Sequence, residues 1–162
     1  MKKSTFSKLL LIFGLFLFIG NSAIAQHKYI GAVKCKMCHN KPEKGEQYNK
    51  WLAGPHAKAM ESLKGEDASN PKCLKCHSTA AVNKSLNMGI KVSEGVSCET
   101  CHGPGSVYKS MTIMKDHAKS LANGLIVPDE KLCKTCHNEQ SPHYKGFNYA
   151  EYLKKIAHPN PM

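Results

Sequence analysis

Cys35-Lys36-Met37-Cys38-His39 recurs in form as Cys73-Leu74-Lys75-Cys76-His77, Cys98-Glu99-Thr100-Cys101-His102 and Cys133-Lys134-Thr135-Cys136-His137. These four Cys-x-x-Cys-His runs use all eight cysteines of the 162-residue chain. At this spacing two thiols add to the vinyl groups of one haem and the adjacent histidine reaches its iron, so one pentapeptide both anchors and ligates. Structural zinc or a thioredoxin-like dithiol also uses Cys-x-x-Cys, and eight exported cysteines could form a disulfide framework. None of these needs a histidine directly after the second cysteine. Histidine is 9 of 162 residues, so chance would place it after all four pairs in about one chain in a hundred thousand. The expectation is four covalent c-type haems held by Cys35, Cys38, Cys73, Cys76, Cys98, Cys101, Cys133 and Cys136, with His39, His77, His102 and His137 as proximal iron ligands.

The N-terminus gives an independent indication of compartment. Lys2, Lys3 and Lys8 precede an apolar run from Leu9 to Ile19, and Ala23-Ile24-Ala25 has the form of a cleavage site before Gln26. Residues 1–25 therefore read as a secretory signal peptide and 26–162 as a single tetrahaem domain. The apolar run is far shorter than the roughly 20 residues of a membrane span, so membrane association is expected only if the leader stays uncleaved. No cysteine follows the cleavage site closely, which argues against a lipoprotein. The expected location is the periplasm, where c-type haem attachment and oxidising conditions coincide.

The formal charge is +11. Loss of the three leader lysines leaves +8. Eight propionates oppose that and each ferric haem returns one positive charge, so the loaded protein sits near about +4 oxidised and about neutral reduced. All 23 basic residues are lysine, and no basic block is interleaved with base-stacking aromatics, which excludes nucleic acid as a partner class. A lysine-rich rim suits electrostatic steering toward an acidic redox partner.

Long apolar runs and alternating strand patterns are scarce between residues 26 and 162, so haem macrocycles are expected to fill the interior. The fold class is mainly α, haem-templated, with short helices, long loops and little or no sheet. Gaps of 33, 20 and 30 residues between motifs exclude a strict repeat array. Pro42 to Trp51 reads as a helix broken at Gly54-Pro55, and His56 to Leu63 as a second short one. Asn70-Pro71 turns into the second motif, and Asn83 to Val92 reads as an irregular loop. Gly103-Pro104-Gly105 forces a reversal after the third motif, and Ser106 is expected to cap a helix to about Asn123. Pro128-Asp129 opens a helical turn into the fourth motif, and Tyr149 to Ala157 reads as a helix ended by His158-Pro159.

Five histidines lie outside the motifs, and a low-spin haem needs a second axial ligand, usually His or Met. His56 and His117 fall on apolar helical faces able to cover a haem, and His158 ends an amphipathic turn, so these three are the expected distal ligands. His143 in its loop and His27 at the start of the mature chain are expected to stay off iron. Met60, Met111 and Met114 suit packing against a haem edge better than ligation. Three distal ligands for four irons leave one haem five-coordinate or water-ligated.

The sequence resembles the tetrahaem cytochrome c-554 family. The resemblance rests on Tyr29-Ile30-Gly31, on Trp51-x-x-Gly54-x-His56-Ala57, on the run from Gly95 through Ser106 around the third motif, on the fourth motif followed by Ser141-Pro142, and on Ile156-x-His158-Pro159. It implies a helical, haem-packed fold with stacked haem pairs. It also implies three bis-histidine haems and one open haem, the second in chain order, whose proximal ligand here is His77. The expected function is a periplasmic electron carrier working between redox proteins, such as a dehydrogenase, a quinol oxidase module or a terminal reductase. Reduction of a small nitrogen oxide at the open haem is the alternative, with lysines, Tyr108 and Tyr144 as candidate proton donors.

Overall fold

Short helices carry the Cys-x-x-Cys-His runs, and those of the first, second and fourth motifs are begun by a nearby or long-range side-chain cap. The computed structural model describes residues 27–158, 160 and 161; the reading of residues 1–25 as a signal peptide lies outside them. Helix α1 (Ala32–His39) ends in the first motif, and α2 (Gln47–Ala53) follows. Helix α3 (Pro71–His77) ends in the second motif and runs into α4 (Thr79–Val82). The third motif is itself α5 (Cys98–His102). Helices α6 (Met111–Met114) and α7 (His117–Ala122) come next. The fourth motif begins in α8 (Glu130–Cys133) and finishes in the turn after it, and α9 (Tyr149–Ile156) closes the described chain. No strand occurs among the described residues; one parallel bridge joins Tyr29 to Asn87. The fold is mainly helical with short helices and long connections.

Local chemistry explains many of the boundaries. Asn70 accepts the Lys72 N–H and Pro71 takes the first helical position of α3, a position that needs no donor. Asp129 accepts the Leu132 N–H to start α8, and Asn148 accepts the Glu151 N–H to start α9. Three expected helices are altered. Pro42 to Trp51 divides into a 3-10 turn at Pro42–Lys44 and helix α2, because Gly45 and Glu46 both take left-handed backbone angles between them. His56 to Leu63 forms only turns and a 3-10 segment at Ala59–Ser62.

The long helix expected from Ser106 is absent. Ser106 Oγ instead accepts the Lys28 N–H at 2.8 Å, so it caps nothing locally. Asp116 interrupts the stretch by capping α7 through the Lys119 N–H. Met111, Met114, His117 and Leu121 therefore do not share one continuous helical face.

The apolar core is small: Tyr29, Ala80 and Ile90, with Leu86 against them. The largest fully buried side chains are mostly polar, Glu99, Thr79, Ser78, Ser97 and Ser120, with Glu99 only 1% exposed. Hydrogen bonds rather than apolar contacts fix the geometry of the centre. Meanwhile Val33, Met37, Met88 and Val127 stay more than 60% exposed, leaving apolar side chains near the motifs with little protein against them. No described helix is long and apolar enough to cross a membrane.

Candidate haem-attachment centre

All eight cysteines are free thiols, and six of them lie near a cysteine of another motif. Cys35 of α1 hydrogen-bonds Cys98 of α5, which lowers the Cys35 thiol and raises Cys98. Cys76 of α3 hydrogen-bonds Cys136; burial and that neighbour push Cys76 up to about 11. Burial, with Cys133 and Cys136 nearby, also pushes Cys101 up to about 11. The third motif thus neighbours the first and the fourth, and the fourth neighbours the second. A cavity of about 330 Å³ opens between them, bordered by Cys76, Cys136, Val82, Ile126 and Leu132.

Two imidazole pairs span the chain. His56 faces His137 with ring centroids 6.2 Å apart, and His158 faces His102 at 5.8 Å. Two imidazoles bound to one metal at about 2 Å each place their centroids roughly 6 Å apart, so both gaps match the span of one bis-histidine iron. Burial lowers the pKa of all four rings, and the proximity of the paired ring adds to this at His56 and His102. Neutral imidazole is the form that binds metal.

Outer contacts orient the motif histidines. His77 Nδ1 lies 2.8 Å from the Ala59 carbonyl and 3.3 Å from Ser62 Oγ, and His102 Nδ1 lies 3.3 Å from the Ile126 carbonyl. A proton held on Nδ1 leaves Nε2 free for iron. Phe147 stacks on His137 at 4.7 Å and 16°, with Tyr152 at 5.8 Å. Thiols in pairs, imidazoles at metal-spanning distance and uncovered apolar side chains together fit covalently held haem.

His56 is brought into place by the run before the third motif. Val96 N–H donates to the His56 carbonyl at 2.9 Å, Trp51 Nε1 donates to the Val96 carbonyl at 2.8 Å, and Thr79 N–H donates to the Gly95 carbonyl at 2.9 Å. The remaining sequence candidates are less gathered. His39 lies close enough to His102 and His158 to depress both electrostatically. His117 is exposed at the start of α7, and His143 is exposed with its backbone N–H on Ser141 Oγ. Among the described residues no second imidazole stacks or tilts against His77. Tyr108, a candidate proton donor, is buried and donates its hydroxyl to the Gly103 carbonyl at 2.9 Å, so that proton is committed to holding the chain reversal.

Sequence reading overlooked Glu99, Glu94 and the Thr79–Thr100 contact at 2.6 Å. The available signal was the acidic residue inside the third motif, flanked by glycine-rich segments whose N–H groups need an acceptor.

Residues 34–103 match the family model described as cytochrome c554 and c-prime. The chain is also 32% identical over 120 residues to cytochrome c-554 of Nitrosomonas europaea, a match covering 62% of this chain and 47% of that protein. The chain thus spans about half the length of this relative. No solved structure matches it significantly. Together with the paired thiols and paired imidazoles, these matches make the chain similar to the cytochrome c-554 family of c-type cytochromes, whose members carry covalently bound haem.

Proposed function

We propose that this chain is a periplasmic tetrahaem cytochrome that transfers electrons between redox partner proteins, with Cys35/Cys38, Cys73/Cys76, Cys98/Cys101 and Cys133/Cys136 each holding one haem. When bound, the haems supply one-electron chemistry. The residues supply spacing, ligation and a dry, partly apolar surround. The observation that carries the reading is the succession of neighbouring thiols from different motifs: Cys76 hydrogen-bonds Cys136, Cys133 and Cys136 lie near Cys101, and Cys98 hydrogen-bonds Cys35. It orders the sites as second, fourth, third and first along one route.

His137 and His56 serve the fourth site and His102 and His158 the third, as their ring separations support. His39 serves the first site, and His117 is the third distal ligand. His77, set by the Ala59 carbonyl, serves the second. The test is spectroelectrochemical titration of the purified holoprotein. Four electrons per chain should enter and leave reversibly; fewer, or irreversible reduction, overturns the proposal. The surplus lysines steer an acidic partner, a dehydrogenase, a quinol oxidase module or a terminal reductase.

A second reading is favoured by the isolation of His77 from any other described imidazole. The site it serves then keeps an open position for a small ligand such as a nitrogen oxide. Nitric oxide added to the reduced protein should perturb one haem of four. Four low-spin haems that ignore it exclude this reading.

A further inference from the structure

The first and third motifs are joined by a group that does not touch iron in any reading of the ligands. Glu99 lies inside the third motif, and its side chain is buried. Its Oε2 accepts the Gly31 N–H at 2.7 Å and the Ile30 N–H at 2.9 Å; its Oε1 accepts the Gly105 N–H at 2.6 Å. Ile30 also reaches Oε1 at 3.0 Å. Every partner is a backbone donor. Burial pushes the Glu99 carboxyl up and the N–H groups of Gly105, Gly31 and Ile30 oppose that shift; a protonated carboxyl would need an acceptor for its own O–H, and these contacts provide none, so the donor set fits a carboxylate.

Beside it Glu94 Oε1 accepts the Ala32 N–H at 2.9 Å. The two carboxylates thus cap the start of α1, where Gly31 has no side chain to do so, and the helix dipole there favours negative charge. Tyr29, Tyr108 and Cys35 lie near enough to feel this charge: burial raises the pKa of both tyrosines and Glu99 adds to it, and Glu99 opposes ionisation of Cys35.

We propose that Glu99 is a positioning residue for the first and third haem sites: it pins the segment before the first motif to the reversal after the third, and its buried negative charge holds both sites at low reduction potential. A fixed anion favours the ferric over the ferrous state, and water does not screen it at this depth. The inference rests on the tetrahaem reading. Thr100, the other residue between Cys98 and Cys101, makes the corresponding uncharged link to Thr79 after the second motif. It provides a control of similar position without charge.

Haem is first counted by pyridine haemochrome in wild type, Glu99→Gln and Thr100→Val holoprotein. A wild-type count below four refutes the tetrahaem reading itself and is thereby distinguished from failure of the present inference. Potentiometric titration with optical detection then follows. With four haems retained, Glu99→Gln should raise two midpoints, each by about a tenfold change in the ferric-to-ferrous ratio at fixed potential, about 59 mV. Thr100→Val should leave them in place. Unchanged midpoints in Glu99→Gln overturn the inference, as does an equal rise of the same two midpoints in Thr100→Val. If Glu99→Gln does not mature, redox-difference infrared spectra of wild-type holoprotein with carbon-13 glutamate decide. A protonated glutamic acid band from the buried site, identified by its absence in Glu99→Asp, overturns the inference; carboxylate bands alone support it.

Discussion

At the scale of single residues, the histidines divide by what faces them. His56 and His158 each look across to a motif histidine at a distance one iron spans, and His143 sits exposed in its loop. Replacing His56, His117 or His158 by alanine should convert one low-spin haem to high spin, whereas His143→Ala should change none. Electron paramagnetic resonance of the oxidised holoprotein reads the count directly, and conversion in His143→Ala would remove the argument for an open site. Gly95 tests the scaffold behind one of these ligands. Its φ is +72°, and a Cβ there would lie 2.7 Å from both the His56 and Ala57 carbonyls. Gly95→Ala must therefore strain its backbone and push away the segment that carries His56. The expected cost is about 2–3 kcal/mol of holoprotein stability, with partial loss of the low-spin signal that His56→Ala removes completely. A signal identical to wild type would show that Gly95 does not position His56.

Among the elements, α9 couples two sites. Tyr152 on its first turns approaches His137 and packs on Phe147 at 4.9 Å, while the segment just past its end delivers His158 to His102. The cap at Asn148, 3.3 Å from the Glu151 N–H, holds the start of that helix. Asn148→Ala should cost about 1 kcal/mol and lower the melting temperature of the holoprotein by about 3 °C. Calorimetry measures the shift, and no shift would mean the haem sites alone fix the helix. This helix was legible in sequence because its stop signal, His158-Pro159, acts within a few residues, whereas its cap at Asn148 was not read. So was α8, begun by Pro128-Asp129, whereas Asn70-Pro71, read as a turn, begins helix α3. Ser106 misled because a serine before a periodic stretch looks like a cap whatever its real partner, and its partner is Lys28, 78 positions away. The facing of His56 to His137 was illegible for the same reason. Spacing within a motif is local chemistry, whereas the approach of two motifs is set by long-range contacts such as those of Glu99 and Val96.

For the whole molecule the question is what replaces a conventional core. The buried apolar cluster consists of Tyr29, Ala80 and Ile90 with Leu86 beside them, and the deepest side chains are largely polar. Ordering each residue costs roughly 1–2 kcal/mol of conformational entropy. Burial returns only about 1.5–3 kcal/mol for each large apolar side chain. A cluster of that size falls far short of offsetting the ordering of more than a hundred residues. Buried hydrogen bonds narrow the gap little, because each one made on folding replaces a bond to water and contributes about 1 kcal/mol net. The missing stabilisation has to come from groups that bind only the folded chain and cover side chains such as Val33, Met37, Met88 and Val127. A variant with all eight cysteines replaced by alanine, which cannot attach haem covalently, should therefore be largely unfolded at 25 °C. Far-ultraviolet circular dichroism should show little of the helix found in the holoprotein, and heating should give no cooperative transition. A cooperative melt with native helix content would mean that the polar centre around Glu99, Thr79 and Ser97 folds unaided, and that haem fills a scaffold already made.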